Sequence, residues 1–146
     1  MGPVPRNIWD AWNQDTRHPL LNRVIQGLYP PGSTMKLIAA ALTLEQGKVS
    51  EKWIVNCSGA YTLGDRTFHC WNAGGHGIVN MKQAITHSCN IYFYQLIQKL
   101  SFADWKEMAE NFGYGHLSGI DLYGEETGNI PDIEYMNKKY GKSGWA

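Results

Sequence analysis

The chain has 146 residues, enough for one domain with a core of its own. Apolar residues make up 43% and charged residues 18%, so the chain is expected to fold rather than stay disordered. Thirteen Lys plus Arg balance thirteen Asp plus Glu, which argues against a nucleic acid or an anionic membrane surface as partner.

No stretch approaches the roughly 20 apolar residues of a membrane span. Met1-Gly2-Pro3-Val4-Pro5 is not a signal peptide, so any anchor or export signal of a parent protein is expected upstream. Pro5 opens a predicted helix over residues 7–13 that carries Ile8, Trp9 and Trp12. Thr16 to Pro19 reads as a turn and residues 20–29 as an irregular or extended approach, stopped by Pro30-Pro31-Gly32. Residues 33–46 are rich in Ala and Leu, which favours a helix, and Gly47 ends it. That helix is apolar nearly all round, which marks it as buried.

Ala60 to Leu63, then Gly64-Asp65, then Arg66 to His69 has the pattern of a small β-hairpin. Gly74 to Gly77 is expected to be a loop, and Asn80 to cap a helix over residues 81–87. Ser88-Cys89-Asn90 interrupts it, and an aromatic-rich helix resumes over residues 91–100. Ser101 with Asp104 has the spacing of a capping box for a helix to Phe112, closed by Gly113. Residues 118–130 form a Gly-rich loop, and Asp132 caps a last helix to Tyr140. Six Trp, eight Tyr and 16 Gly predict aromatic packing around tightly turned loops.

Two short patterns carry chemistry. Ser33 and Lys36 stand three apart, which places them on one helix face with Cβ atoms about 5–6 Å apart. A serine in a helix's first turn meets free amides and the positive end of the dipole, suited to an oxyanion. Its hydroxyl needs a base, and Lys36 is the one charged residue between Ser33 and Leu44. Burial would bring its pKa down from about 10.4 towards the working range. The second pattern, Ser88-Cys89-Asn90, is S-x-N between two helices. Its hydroxyl can relay protons to or from the lysine, and its amide can hold the lysine head or a substrate amide. The bland alternatives are an N-cap serine, a snorkelling lysine and ordinary capping residues.

Cys57, Cys70, His76 and Cys89 are separated by twelve, five and twelve intervening residues. An odd number of cysteines cannot all pair within one chain. The four suit tetrahedral Zn²⁺ as a closed, structural Cys₃His set, but the spacing is not that of a zinc finger and taken alone favours buried free thiols. His69 reads as exposed hairpin decoration; His18, His87 and His116 read as surface or turn residues. Asp121, Glu125 and Glu126 read as a solvated loop rather than an acid–base pair. Tyr92, Phe93, Tyr94, Leu96 and Ile97 read as core, and Trp71 as packed on the hairpin.

Leu28-Tyr-Pro-Pro-Gly-Ser-Thr-Met-Lys36 resembles the active-site serine motif of class B penicillin-binding proteins. Cys70-Trp-Asn-Ala-Gly-Gly-His-Gly77, Ser88-Cys-Asn-Ile-Tyr-Phe-Tyr-Gln95, Phe112-Gly-Tyr-Gly115 and Thr127-Gly-Asn-Ile-Pro131 are similar to the penicillin-binding protein 2 branch, the elongation transpeptidases. The resemblance runs from about residue 19 to 140. It implies Ser33 as the acylated nucleophile, Lys36 as base, and Ser88 with Asn90 as the second motif. The implied reaction is peptidoglycan D,D-transpeptidation, in which an acyl group passes from a D-Ala-D-Ala stem peptide to an amine; β-lactams acylate the same serine. It also implies partners in the cell-wall elongation machinery and a periplasmic or extracytoplasmic location for an anchored parent. Some relatives carry zinc beside the S-x-N loop, with Asp replacing one or two cysteines; Cys57, Cys70, His76 and Cys89 fall on those positions.

Two departures qualify the resemblance. Lys142-Ser143-Gly144 spells K-S-G, but it follows residue 131 too soon for the family's third motif and reads as a chance match. The flanking strands are missing from the sequence too. Residues 1–146 are therefore expected to form one compact unit, the mainly α subdomain of the penicillin-binding protein/serine β-lactamase-like fold. It would carry a small β-hairpin, with the main sheet largely absent and little or no transpeptidation alone. Rival readings are a β-lactamase or β-lactam sensor domain, and a non-catalytic zinc-stabilised cell-wall binding module.

Overall fold

The computed structural model describes residues 2–141, so Lys142 to Gly144 lie outside the described residues. Among the described residues, seven α-helices and four short strands are formed. Helix α1 (Arg6–Gln14) leads to a single turn, α2 (Arg23–Gln26), which brings Ile25 into the protein. The sequence reading left α2 as irregular chain. Asn22 caps it by accepting the Val24 amide at 3.3 Å, but one turn is too short for periodicity to reveal.

The helix predicted from Ser33 does not begin as an α-helix. Gly32–Thr34 is a 3₁₀ turn, and α3 (Met35–Glu45) follows it. Ile38, Ala39, Ala40, Leu42 and Thr43 of α3 are buried, as its apolar sequence requires. Thr43 satisfies its hydroxyl by donating to the Ala39 carbonyl.

The predicted hairpin is present. Strand β2 (Ala60–Leu63) pairs antiparallel with β3 (Arg66–His69), Leu63 facing Arg66 across the Gly64-Asp65 turn. A second pair encloses it: β1 (Ile54–Cys57) against β4 (Gly77–Asn80), with Cys57 opposite Gly77. This outer pair was not predicted. Val55 and Cys57 alternate inward and Ile54 and Asn56 outward, a strand pattern hidden by its four-residue length. It also corrects the loop reading at Gly77, which belongs to β4.

Four helices complete the fold: α4 (Met81–Thr86), α5 (Asn90–Ile97), α6 (Phe102–Asn111) and α7 (Ile133–Tyr140). Asn80 and Gln83 form a reciprocal capping box on α4, whereas Ser101 accepts the Asp104 amide on α6. The core lies where α3, α4, α5 and the outer strand pair meet, centred on Tyr92, Ile91, Leu96, Cys57 and Cys89. Burying Ile91 and Leu96 contributes about 1.5–3 kcal/mol each. Trp53 packs its ring 5.0 Å from Tyr92, and Phe68 of the hairpin 5.2 Å from Tyr94, so aromatic contacts tie both strand pairs to α5. Among the described residues, no helix is long and apolar enough to cross a membrane.

Candidate active site and metal centre

Ser33 sits exposed in the 3₁₀ turn, and Lys36 one turn on is half-buried. Both line one recess of about 310 Å³ together with Thr34, Leu37, Ile85 and Ser88. The Lys36 amine does not point into solvent. It donates to the Ser88 carbonyl at 2.8 Å, to Ser88 Oγ at 3.0 Å and to Asn90 Oδ1 at 2.7 Å. It also lies 5.6 Å from the centre of the Phe93 ring.

An ammonium has three N–H donors and no lone pair, so these three acceptors use it completely. In its charged form Lys36 is a tether between α3 and the S-x-N loop; only the neutral amine has a lone pair for a serine proton. Burial favours that neutral form and lowers the Lys36 pKa, opposed in part by charge on Cys70 and Cys89. Ser33 Oγ has no hydrogen-bond partner among the described residues. The Thr34 and Met35 amides are committed backwards, to the Pro31 and Gly32 carbonyls. The expectation of several free first-turn amides is thus narrowed to that of Ser33 itself, which has no intrachain partner among the described residues.

The S-x-N loop is a helix terminus of defined type. The Ser88 amide donates to the Ile85 carbonyl at 3.1 Å, and the Cys89 amide to the Ala84 carbonyl at 2.8 Å. These two bonds close α4 as a Schellman motif, whose third position takes the left-handed conformation and is usually glycine. Here it is Ser88, at φ 49°. A side chain at that position costs about 1 kcal/mol or more, so the loop carries strain at Ser88. Asn90 then starts α5, with its Nδ2 donating to the His69 carbonyl at 3.2 Å. That bond turns the amide so that Oδ1 faces Lys36.

Behind this loop the four predicted metal-binding residues converge. The Sγ atoms of Cys57, Cys70 and Cys89 and a ring nitrogen of His76 all lie within 4.8 Å of one another. His76 Nδ1 is 3.6 Å from Cys57 Sγ and 3.5 Å from Cys70 Sγ. Bonds of about 2.3 Å to sulfur and 2.0 Å to nitrogen at tetrahedral angles put such atoms about 3.5 Å apart. The four side chains therefore fit a tetrahedral ion. All three thiols are free and buried.

Two glycines make the convergence possible. A Cβ on Gly75 would stand 2.0 Å from the Cys57 carbonyl, and one on Gly59 2.1 Å from the Ala73 carbonyl. Only bare backbone lets the residue 72–76 loop press against the end of β1 and bring His76 to Cys57. Cys70 joins them because its amide donates to the Gly59 carbonyl at 2.8 Å, extending the hairpin.

The electrostatics favour a cation here. Burial pushes the Cys70 thiol up, but the amides of Asn72, Asn90 and Ile91 and the Cys57 side chain outweigh it, leaving the group below its usual range. Cys89 is pushed up to about 12 by burial, with the Cys57 side chain and charge on Cys57 and Cys70 adding to it. Three thiolates so close repel one another, and a divalent cation removes that penalty.

Residues 6–146 match the penicillin binding protein transpeptidase domain family. The chain belongs to that family. Among curated relatives, it is 40% identical over 129 residues to the peptidoglycan D,D-transpeptidase MrdA of Acinetobacter baumannii, and 33% identical over 136 residues to that of Escherichia coli K12. These alignments cover 87% and 92% of this chain but only 19% and 22% of the relatives, so it spans about a fifth of their length. Penicillin-binding protein 2 of Helicobacter pylori, solved in complex with MreC, superposes with a TM-score of 0.88 at 30% identity. That match covers 99% of this chain and 27% of the other. Penicillin-binding protein 2 of Pseudomonas aeruginosa, in complex with WCK 5153, gives 0.83 at 34% identity, covering 92% and 31%. The family chain described here is thus the mainly helical part of that fold, as its sequence predicted.

In this transpeptidase-family chain Lys36, Ser88 and Asn90 are joined by hydrogen bonds, Ser33 shares their recess, and the four metal candidates form one cluster. Glu125 stays apart from all of them: the Ser118 hydroxyl, and then the Ser118 amide donating at 2.9 Å, hold its carboxyl below the usual carboxylate range. Trp71, expected on the hairpin, is 66% exposed and instead sets its ring edge 5.2 Å from His76. His87 is exposed, as a surface residue should be, and its ring also stacks on His76 at 5.6 Å. Sequence reasoning also missed the His69 carbonyl, since backbone acceptors leave no trace in residue type.

Proposed function

We propose that this chain carries the acyl-transfer groups of a peptidoglycan D,D-transpeptidase. The observation that carries the reading is the three-acceptor grip of Ser88 and Asn90 on Lys36, which joins the two sequence motifs into one site. Ser33 Oγ attacks the carbonyl of the stem peptide's penultimate D-alanine and passes its proton to the neutral Lys36 amine. The oxyanion is met by the Ser33 amide. Collapse expels D-alanine, whose nitrogen takes a proton back through Lys36 or Ser88, and leaves an ester on Ser33. An acceptor amine then attacks that ester, and Oγ recovers its proton. A β-lactam acylates Ser33 by the same first step, with ring opening in place of leaving-group departure.

Cys57, Cys70, His76 and Cys89 would hold Zn²⁺ as a structural ion. Four protein ligands leave no open position for substrate, so its contribution is to fix the loop that presents Ser88 and Asn90. By the same reading the parent works at the extracytoplasmic face of the membrane with the cell-wall elongation machinery, in keeping with the Helicobacter pylori relative solved in complex with MreC. The test is mass spectrometry after incubation with a labelled penicillin, on this chain and on its parent protein. A single adduct mapped to Ser33, absent in Ser33→Ala, supports the reading; an adduct elsewhere, or none on the parent, sinks it.

A further inference from the structure

Trp71 is a large residue left mostly in solvent, yet its one polar atom is committed. Its indole N–H donates to the His87 carbonyl at 2.9 Å. That carbonyl belongs to the peptide plane joining His87 to Ser88. Its orientation is set by the same rotation that gives Ser88 its φ of 49°. Fixing the carbonyl fixes the plane, and the plane directs the Ser88 hydroxyl and the chain leading to Asn90. The Schellman bonds satisfy the Ile85 and Ala84 carbonyls but leave that of His87 to another donor. A serine held in the left-handed region gains by flipping that peptide, so an external latch has something to oppose. The opposite edge of the latch is anchored too, because Trp71 follows Cys70 directly and its ring rests edge-on against His76.

We propose that Trp71 is a positioning residue for acyl transfer. Its indole N–H holds the His87–Ser88 peptide in the one orientation that presents Ser88 and Asn90 to Lys36. The inference rests on the transpeptidase reading for its effect on rate, but its structural half stands apart from that reading.

The test is a double-mutant cycle of Trp71→Phe and Ser88→Gly in the zinc-loaded chain. Phenylalanine keeps a ring against His76 and removes only the donor; glycine removes the reason for a latch. Expected for Trp71→Phe are unchanged zinc content, a lower Tm, and faster amide exchange confined to residues 86–90. In the Ser88→Gly background the Tm loss should shrink to within about 1 °C. Penicillin acylation of Ser33 in the parent protein should slow about three- to tenfold, the effect of one lost hydrogen bond. Loss of zinc, exchange spread over residues 70–77, or equal Tm losses in both backgrounds would make Trp71 a packing residue and overturn the proposal. If the parent forms no adduct at all, the transpeptidase reading fails, while the cycle and the exchange pattern still decide the latch.

Discussion

The turn that carries Ser33 and the turn that carries Ser88 face one recess, yet they are held by different amounts of structure. Ser88 has the Schellman bonds before it, the Trp71 N–H on the preceding carbonyl, and Cys89 of the metal cluster after it. Asn90 next along is fixed by the His69 carbonyl. Ser33 sits on an exposed 3₁₀ turn whose bonds are the Thr34 amide at 3.4 Å and the Thr34 hydroxyl on the Pro31 carbonyl, and the Met35 amide on the Gly32 carbonyl. The contrast teaches where precision is needed. On the mechanism proposed above, Ser88 and Asn90 have to meet Lys36 at fixed distance, and the cost of a strained serine is spread over several ties. On the same reading Ser33 needs access to substrate, and a lightly tied exposed turn gives it that.

The comparison breaks most severely at the cluster. On the zinc reading proposed above, Cys89→Ser, or treatment with a chelator, should lower Tm by roughly 10–20 °C, because ion binding is then coupled to folding. Calorimetry alongside metal analysis checks this; an unchanged melting curve after complete metal removal would contradict it. On the Ser33 side, Ser33→Ala should abolish the penicillin adduct while moving stability by less than about 0.5 kcal/mol.

Next comes Lys36→Met, expected to slow acylation about 10²–10⁴-fold. It also leaves the Ser88 and Asn90 oxygens without their donor, so the loop's exchange protection should fall. The pH dependence follows from the direction of the shift. Lys36 has a folded pKa below its unfolded value, so its neutral form builds up at lower pH than in free lysine. Acylation should therefore rise with pH along a limb centred below 10.5, and that limb should vanish in Lys36→Met. For stability the sign is the reverse of a paired lysine: the cost of burying the cation is fully present below the folded pKa and is relieved as pH rises through it towards the unfolded one. The smallest effect is Ser88→Gly, which should raise stability by about 1 kcal/mol by removing left-handed strain, while acylation slows.

Much of this was legible in the residues. The hairpin, the buried helix after Ser33 and the caps at Asn80, Ser101 and Asp132 follow from pattern, whereas the convergence of Cys57, Cys70, His76 and Cys89 is left open by spacing and is implied by the family resemblance. The β1–β4 pair did not, because two four-residue strands separated by the whole hairpin have no local signal. Nor did the 3₁₀ start at Gly32, which is a matter of two or three dihedral angles. Trp71 was seen as an aromatic to be packed, since sequence shows the ring but not where its N–H points. The left-handed serine was invisible for the opposite reason. Glycine is what local preference would put there, and chemistry overrode it.

On the proposed mechanism, the Cys57, Cys70, His76 and Cys89 cluster holds the Ser88–Asn90 loop in register with Lys36. The most direct measurement is the rate of Ser33 acylation by a labelled penicillin in the parent protein, zinc-loaded and stripped, at a temperature where circular dichroism shows the helices intact in both. At least about a tenfold slower reaction is expected without the metal, the scale of losing a ligand-level support. Equal rates in the two forms would contradict it.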